Sequence, residues 1–264
     1  MTQSQIKNSH TENVTLIITA YNWVPALEIV LRTVANQTVL PDQVIVADDG
    51  SRPEISALIQ RWVHNLNVIH VWQKDFGFRA ARARNLAISK SNTDYIIFID
   101  GDCLLPPYFV QTHLDLARYN KVLAGHRYMI SPTETKAILE DNKNLYKLMN
   151  NYKFLRLKLG IVRDFQSKEW RTVRTCNMGV YRTDLLAVGG FDEDYRGWGR
   201  EDSDLILRLL NNGLSIRSGR FSVCVGHLHH ANNDRTQLAE NDTKLKQCQR
   251  LGSIHPLASI LGEK

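Results

Sequence analysis

The chain is poor in the features that would place it outside ordinary soluble globular proteins. It has four cysteines, Cys103, Cys176, Cys224 and Cys248, and none is paired in a Cys-x-x-Cys spacing. That excludes a zinc cluster of paired cysteines and a disulfide framework, and points to free thiols in a reducing compartment. No apolar run approaches the roughly 18–20 residues that a membrane-spanning helix needs. The first dozen residues are polar and lack the apolar core of a signal peptide, so a cytoplasmic location is expected. There is no Gly-x-Gly-x-x-Gly after the first apolar run and no Gly-Lys-Ser/Thr loop, which argues against dinucleotide and P-loop chemistry. The net charge of +6 is too mild to indicate nucleic acid.

What is present has the rhythm of an α/β protein. Val14–Thr19, Val44–Ala47, Val68–Trp72 and Tyr95–Ile99 are short β-branched runs that read as buried strands. Between them lie helical patterns: Leu27, Val30, Leu31 and Val34 after Pro25, then Ile55–Val63, then Ala80–Ser89. Such alternation predicts β-α-β units and a mainly parallel sheet. After Pro106-Pro107 the rhythm changes. Tyr108–Tyr119 reads as a helix, Val122–Met129 as a strand, and 134–160 as mostly helical and basic. Val173–Tyr181 includes a strand, Asp204–Asn212 is a helix stopped by Gly213, and Phe221–Val225 is a short strand. From Arg235 the tail reads as a polar helix.

Four constellations carry chemistry. Asp100-Gly-Asp102 closes the fourth strand at its carboxyl end, where open α/β sheets place ligands. Two hard oxygen donors there would hold a divalent ion against a phosphate, although an acidic surface turn would look the same. Gly197-Trp-Gly-Arg-Glu-Asp-Ser-Asp204 puts carboxylates at a helix start beside Trp198, a flat apolar face of the kind that binds a sugar ring. Asp202 or Ser203 as a helix cap is the simpler explanation of the acids; a base for a sugar hydroxyl is the functional one. His227 and His229 would share a strand face, with His230 opposite, as metal ligands or packed histidines. Arg79, Arg82 and Arg84 near a helix start would meet phosphate, though not all from one face. A run of cations from Lys143 to Arg174 holds only Asp164 and Glu169 as acids, and reads either as a solvated helix face or as a surface for an anionic partner.

Together these motifs resemble the inverting family 2 glycosyltransferases of GT-A fold. Thr19-Ala-Tyr-Asn22 is similar to the family's first nucleotide loop, and Ala47-Asp-Asp-Gly-Ser51 to its second, which makes Asp48 and Asp49 nucleotide contacts. Arg84-Asn85 resembles the family's Ala-Arg-Asn motif, and Asp100-Gly-Asp102 its metal motif. Asn177 falls in a segment similar to the one before the acceptor site. Gly197-Trp-Gly-Arg-Glu-Asp202 resembles a motif of β-1,4-galactosyltransferases and polypeptide N-acetylgalactosaminyltransferases, and Val225-Gly-His227 the latter group's histidine ligand.

The resemblance implies one GT-A domain over 1–264. Residues 14–102 would be the nucleotide-sugar half, 103–230 the acceptor and catalytic half, and 231–264 a helical tail. It implies Mn2+ or Mg2+ on Asp100, Asp102 and His227, a UDP-sugar held by Thr19 to Asn22, Asp48, Asp49, Arg79, Arg84, Asn85 and Asp100-Gly101, and Asp202 as general base. Glu201, Asn177, Trp198 and Gly199 would contact the acceptor, with Glu201 also in the catalytic group. The expected activity is transfer of a hexose or N-acetylhexosamine, galactose or N-acetylgalactosamine above all, to a glycan in bacterial surface polysaccharide or lipopolysaccharide synthesis. The basic segment 143–174 adds the expectation of a lipid-linked acceptor and peripheral contact with the inner face of the membrane. A sugar nucleotidyltransferase would instead show a glycine-rich signature after the first strand, and a carbohydrate-binding module would need neither the Asp-x-Asp nor the Glu-Asp pair.

Overall fold

The computed structural model describes residues 13–141, 145, 169–231 and 234–257. The four β-branched runs become strands Val14–Ala20 (β1), Gln43–Asp48 (β2), Val68–Trp72 (β3) and Tyr95–Asp100 (β4). Helices Val24–Ala35 (α1), Pro53–Gln60 (α2) and Ala80–Lys90 (α3) connect them. The strands lie in the order β3-β2-β1-β4, all parallel. Because Ala20 pairs with Asp48 and Thr19 with Asp100, three strand ends stop at one level.

Side chains alternate between two cores, as a strand period of two requires. Leu16, Ile18, Val44, Val46, Ile97 and Ile99 pack with α1 and α2 on one face. Ile17, Ile45, Ile96 and Phe98 pack on the other, against Ala83 and Ala87 of α3. Each such buried aliphatic side chain contributes roughly 1.5–3 kcal/mol.

The second half continues with Cys103–Leu104 (β5), Phe109–Leu116 (α4), Lys121–Ala124 (β6), His126–Met129 (β7) and Pro132–Glu140 (α5). Then come Asn177–Tyr181 (β8), Arg182–Ala187 (α6), Glu201–Asn211 (α7), Ser215–Ser218 (β9), Cys224–His227 (β10) and Leu238–Leu251 (α8). The large sheet runs on through β8, β6 and β9, with β8 antiparallel to both β4 and β6. A small sheet, β5-β10-β7, stands at the edge where β1, β2 and β4 end.

Several expectations need correction. The single strand expected over Val122–Met129 is two strands in different sheets. The chain turns at Gly125, where a Cβ would fall 2.1 Å from the Asn177 side chain. The strand expected at Phe221–Val225 lies at Cys224–His227, because Phe221 adopts a left-handed φ of 65° and Val223 N closes a turn onto Gly219 O. The helix expected over Tyr108–Tyr119 spans only Phe109–Leu116, and the one expected from Asp204 starts at Glu201. Of the basic run, Lys143, Lys147, Lys153, Arg156, Lys158, Arg163 and Lys168 lie outside the described residues. No helix among the described residues is long and apolar enough to cross a membrane.

Candidate active site

The strand ends open onto a cleft of about 860 Å³. Thr19, Ala20, Tyr21 and Asp49 line one side of it. Asp49 is fixed from both oxygens: Oδ1 accepts from Gln73 Nε2 at 2.5 Å and Oδ2 from Arg79 N at 2.6 Å. Burial holds its acid above the ordinary carboxylate range, against the opposing pull of those two donors. Gly101 N donates to Thr19 O at 2.8 Å, and a Cβ on Gly101 would come within 2.9 Å of that oxygen. Only glycine brings the two strand ends this close.

Asp100 and Asp102 line the floor of the cleft, facing different partners. Asp100 Oδ1 lies 3.3 Å from Arg84 Nη2. Asp102 Oδ1 lies 3.5 Å from His227 Nε2, and its Oδ2 lies 3.4 Å from His230 Nε2. Burial pushes the Asp102 acid up to about 6; the imidazoles of His227 and His230 oppose the shift and Asp100 adds to it. His227 Nδ1 sits 2.9 Å from Leu228 O. A carbonyl only accepts, so Nδ1 carries a proton and Nε2 is the nitrogen turned toward Asp102. His230 repeats the device with Ala231 O at 2.6 Å. A buried carboxylate flanked by a second carboxylate and two ligand-ready imidazoles fits a divalent cation. His230, expected on the opposite strand face, joins this group because β10 ends at His227 and strand alternation stops there.

The third wall is the start of α7. Gly197, Gly199 and Arg200 all adopt positive φ, at 70°, 102° and 82°. This tight loop presents Trp198, Gly199, Glu201 and Asp202 to the cleft. The expected cap by Asp202 or Ser203 is absent: Arg200 occupies the cap position without a side-chain bond, and Ser203 N donates to Asp202 Oδ1 at 2.7 Å inside the helix. Glu201 Oε1 accepts from Arg84 Nη1 at 3.0 Å, while its buried Oε2 has no hydrogen-bond partner. Burial, with the charge of Asp202, raises the Glu201 acid, and Arg84 holds it down. Arg235 stacks its guanidinium 4.9 Å from the Trp198 ring centre. Helix α8 fastens the loop from behind: Asn241 Nδ2 donates to Arg196 O at 3.0 Å and Gly199 O at 2.9 Å, and Arg200 pairs with Asp242 at 2.5 Å.

Arg84 also lines the cleft. Five other expected residues sit behind its walls. Asp48 is fully buried, accepting from Ser51 N at 2.8 Å and pairing with His70 at 2.7 Å. Asn22, at φ 48°, ties the loops that follow β1 and β2 by donating from N to Ser51 Oγ and accepting on Oδ1 from Arg52 N. Arg79 turns its guanidinium to the Lys74 carbonyl and the Phe76 ring. Asn85 holds both backbone groups of Phe191. Asn177 is 1% exposed and spends its amide on His126 O and Val223 O. Conversely, Arg127, Cys176 and Arg235 reach the cleft without having been singled out for it, and Arg174 and His230, noted only within the basic run and the histidine group, line it as well.

Comparison with known proteins gives one consistent result. The family model for Glycosyl transferase family 2 matches residues 15–187, and that for the N-terminal domain of galactosyltransferase matches residues 162–232. Validoxylamine A glucosyltransferase of Streptomyces hygroscopicus subsp. limoneus is 29% identical over 97% of this chain and 59% of its own length. Chondroitin synthase of Escherichia coli is 28% identical over 78% of this chain and 33% of its own. The chain thus spans about three fifths or less of these relatives. Among solved structures, S. aureus TarS superposes with a TM-score of 0.66 at 14% identity, covering 89% of this chain and 39% of that one. A mannosyltransferase from Pyrobaculum calidifontis, solved with GDP-Man and Mn2+, gives 0.59 at 18% identity over 90% and 63%. These structural likenesses are of fold.

Proposed function

Because the chain belongs to glycosyl transferase family 2 and has the GT-A fold, we propose that its cleft transfers a hexose or N-acetylhexosamine from a UDP-sugar to a glycan hydroxyl with inversion. The observation that carries this reading is the placement of Glu201 and Asp202 across one cleft from Asp102 and His227, with Arg84 bridging Glu201 and Asp100. The volume suits a nucleotide sugar, since such sites run to roughly 300–1,000 Å³.

In this reading residues 14–102 hold the nucleotide, with Asp49 and the Thr19–Tyr21 loop against the nucleoside. Residues 103–230 shape the acceptor side, and the tail from 231 supports it. A Mn2+ or Mg2+ ion on Asp100, Asp102 and His227 would neutralise charge on the departing diphosphate. Arg127 and Arg174, on the cleft wall, supply further positive charge there. Trp198 offers a flat face to the acceptor ring, and Glu201 lines the same wall beside it. Asp202 takes the proton of the attacking hydroxyl. The hydroxyl oxygen, not the carboxylate, bonds to the anomeric carbon from the face opposite UDP as the carbon–phosphate-oxygen bond breaks, and the electron pair leaves with UDP.

Galactose or N-acetylgalactosamine is favoured as the sugar by the match to the galactosyltransferase model over residues 162–232. A polysaccharide acceptor is favoured by the likeness to chondroitin synthase and to an O-antigen chain rhamnosyltransferase of Salmonella typhimurium. The test is UDP release from UDP-galactose, UDP-N-acetylgalactosamine, UDP-glucose and UDP-N-acetylglucosamine, with and without Mn2+, and proton NMR of the anomeric signal of the product. Release that needs Mn2+, with an inverted product, is expected. Equal release in chelator, or a retained configuration, would refute the reading.

A further inference from the structure

Asp102, Cys103 and His227 offer ligand atoms that all lie within 4.8 Å of one another. The cause is the register of the small sheet. Cys103 opens β5 and pairs directly with His227 at the end of β10, so the two side chains are cross-strand neighbours on one face. Cys103 Sγ lies 3.8 Å from Asp102 Oδ1, the same oxygen that lies 3.5 Å from His227 Nε2. A tetrahedral ion with bonds of about 2.0 Å to oxygen and nitrogen and about 2.3 Å to sulfur sets its ligands roughly 3.3–3.6 Å apart. Two of the three spacings, 3.5 and 3.8 Å, lie at or just above that range, and the third is no more than 4.8 Å, so the ligands need to close by about 1 Å at most. Mn2+ and Mg2+ gain little from a thiol, since they prefer oxygen-rich octahedral shells.

We propose that Asp102, Cys103 and His227 form a site for a thiophilic divalent cation, Zn2+ or Cd2+, which displaces the hard ion and blocks the cleft. This rests on the reading of Asp102 and His227 as ligands to that hard ion. Burial and the Cys176 contact hold the Cys103 thiol protonated, so an ion must displace its proton; Arg127 Nη1, 3.8 Å from Cys176 Sγ, places positive charge beside the two sulfurs. On coordination the S–H bond of Cys103 breaks, its proton passes to solvent and the sulfur electron pair forms the bond to the metal. His227 already keeps its Nδ1 proton on Leu228 O and turns Nε2 toward the site. Asp100 stays paired with Arg84 and takes no part. An ion held this way is drawn to the β5–β10 wall and keeps Asp102 and His227 from the hard ion.

The experiment titrates the metal-free full chain with Cd2+ and follows the ultraviolet thiolate-to-cadmium charge-transfer band. Electron paramagnetic resonance of Mn2+ runs in parallel. One equivalent of Cd2+ is expected to raise the band and release bound Mn2+. Cys103→Ser should lose the band and need at least tenfold more Cd2+ to release Mn2+, while Cys248→Ser should behave as wild type. Zn2+-loaded wild type, examined by X-ray absorption, should show sulfur in the metal shell, an arm that needs no variant to fold. A band that persists in Cys103→Ser, or a shell of nitrogen and oxygen only, would overturn the proposal. Failure of wild type to bind Mn2+ at all would instead overturn the hard-ion reading of Asp102 and His227.

Discussion

Arg84 Nη1 lies 3.0 Å from Glu201 Oε1, joining α3 to the start of α7 across 117 residues of sequence. Both side chains are buried, and Arg84 also reaches Thr19 Oγ1 at 3.0 Å and Asp100 at 3.3 Å. One guanidinium thus ties the end of β1 to the carboxylates of Asp100 and Glu201. Removing one partner of a buried ion pair costs roughly 3–5 kcal/mol, because the other charge is left without compensation. Arg84→Met should lower stability by about that much in urea unfolding. Adding Glu201→Gln should recover part of the loss, since the orphaned charge then disappears. A double variant no more stable than Arg84→Met would show that the pair is not coupled.

Asp202→Asn should leave UDP affinity in calorimetry near wild type and cut turnover by a factor on the order of 10²–10⁴, the usual share of a general base. The side chain keeps its shape and its place beside Ser203 N. Wild-type turnover in the Asn variant would remove Asp202 from the base role.

Metal affinity should depend on pH through Asp102. The carboxyl must lose its proton to ligate, and burial holds it to about 6 in the metal-free protein. Mn2+ affinity should therefore be flat with pH above that value. Below it, affinity should fall by up to about tenfold per pH unit. Asp102→Ala should abolish metal-dependent UDP binding at every pH. Mn2+ titrations at pH 7.5 and 5.5 check both statements, and equal affinity at the two pH values would refute the first.

The parts legible in the sequence are those set by local pattern. The runs Val14–Thr19 and Tyr95–Ile99 announce their strands, and Asp48-Asp49 and Asp100-Gly-Asp102 follow strand ends, so a parallel sheet must bring them to one edge. Distant fit is not legible. The break at Gly125 exists because Asn177 occupies the space of a Cβ, a clash between residues 52 apart. His230 joins Asp102 because a strand stops three residues earlier. Arg84 and Glu201 were each singled out, and nothing local says that they meet. Helix α8 carries no motif, so only its contacts reveal that it braces the Trp198 loop.

That bracing can be tested at Asn241, which is 1% exposed and holds two carbonyls of the loop, Arg196 O and Gly199 O. Asn241→Ala leaves both without that donor, at about 1–3 kcal/mol for a buried group left unsatisfied. The loop should loosen where it carries Trp198, so KM for the acceptor should rise while UDP binding holds. Unchanged acceptor KM would leave α8 a merely packed helix.

His113 makes a distinct prediction for stability. It is fully buried against Phe109, and its Nε2 lies 3.1 Å from Asn177 Oδ1, an oxygen that can only accept. The Nε2 proton is therefore in place, and Nδ1 is buried with no hydrogen-bond partner, so a second proton would enter an apolar site. Burial accordingly lowers its pKa to about 4 from an ordinary value of 6.5, with Asn177 opposing only in part. The unfolded chain takes up a proton as pH falls through 6.5, whereas the folded chain refuses it until about 4. Stability from the neutral ring is thus fully present above 6.5 and is lost as pH falls across that window, by an amount on the order of 3 kcal/mol. His113→Gln keeps a donor for Asn177 and removes the titration. In urea unfolding at pH 7.5, 5.5 and 4.5, wild type should lose its advantage over His113→Gln step by step. A difference that stays constant across that range would mean that His113 is not held neutral by the fold.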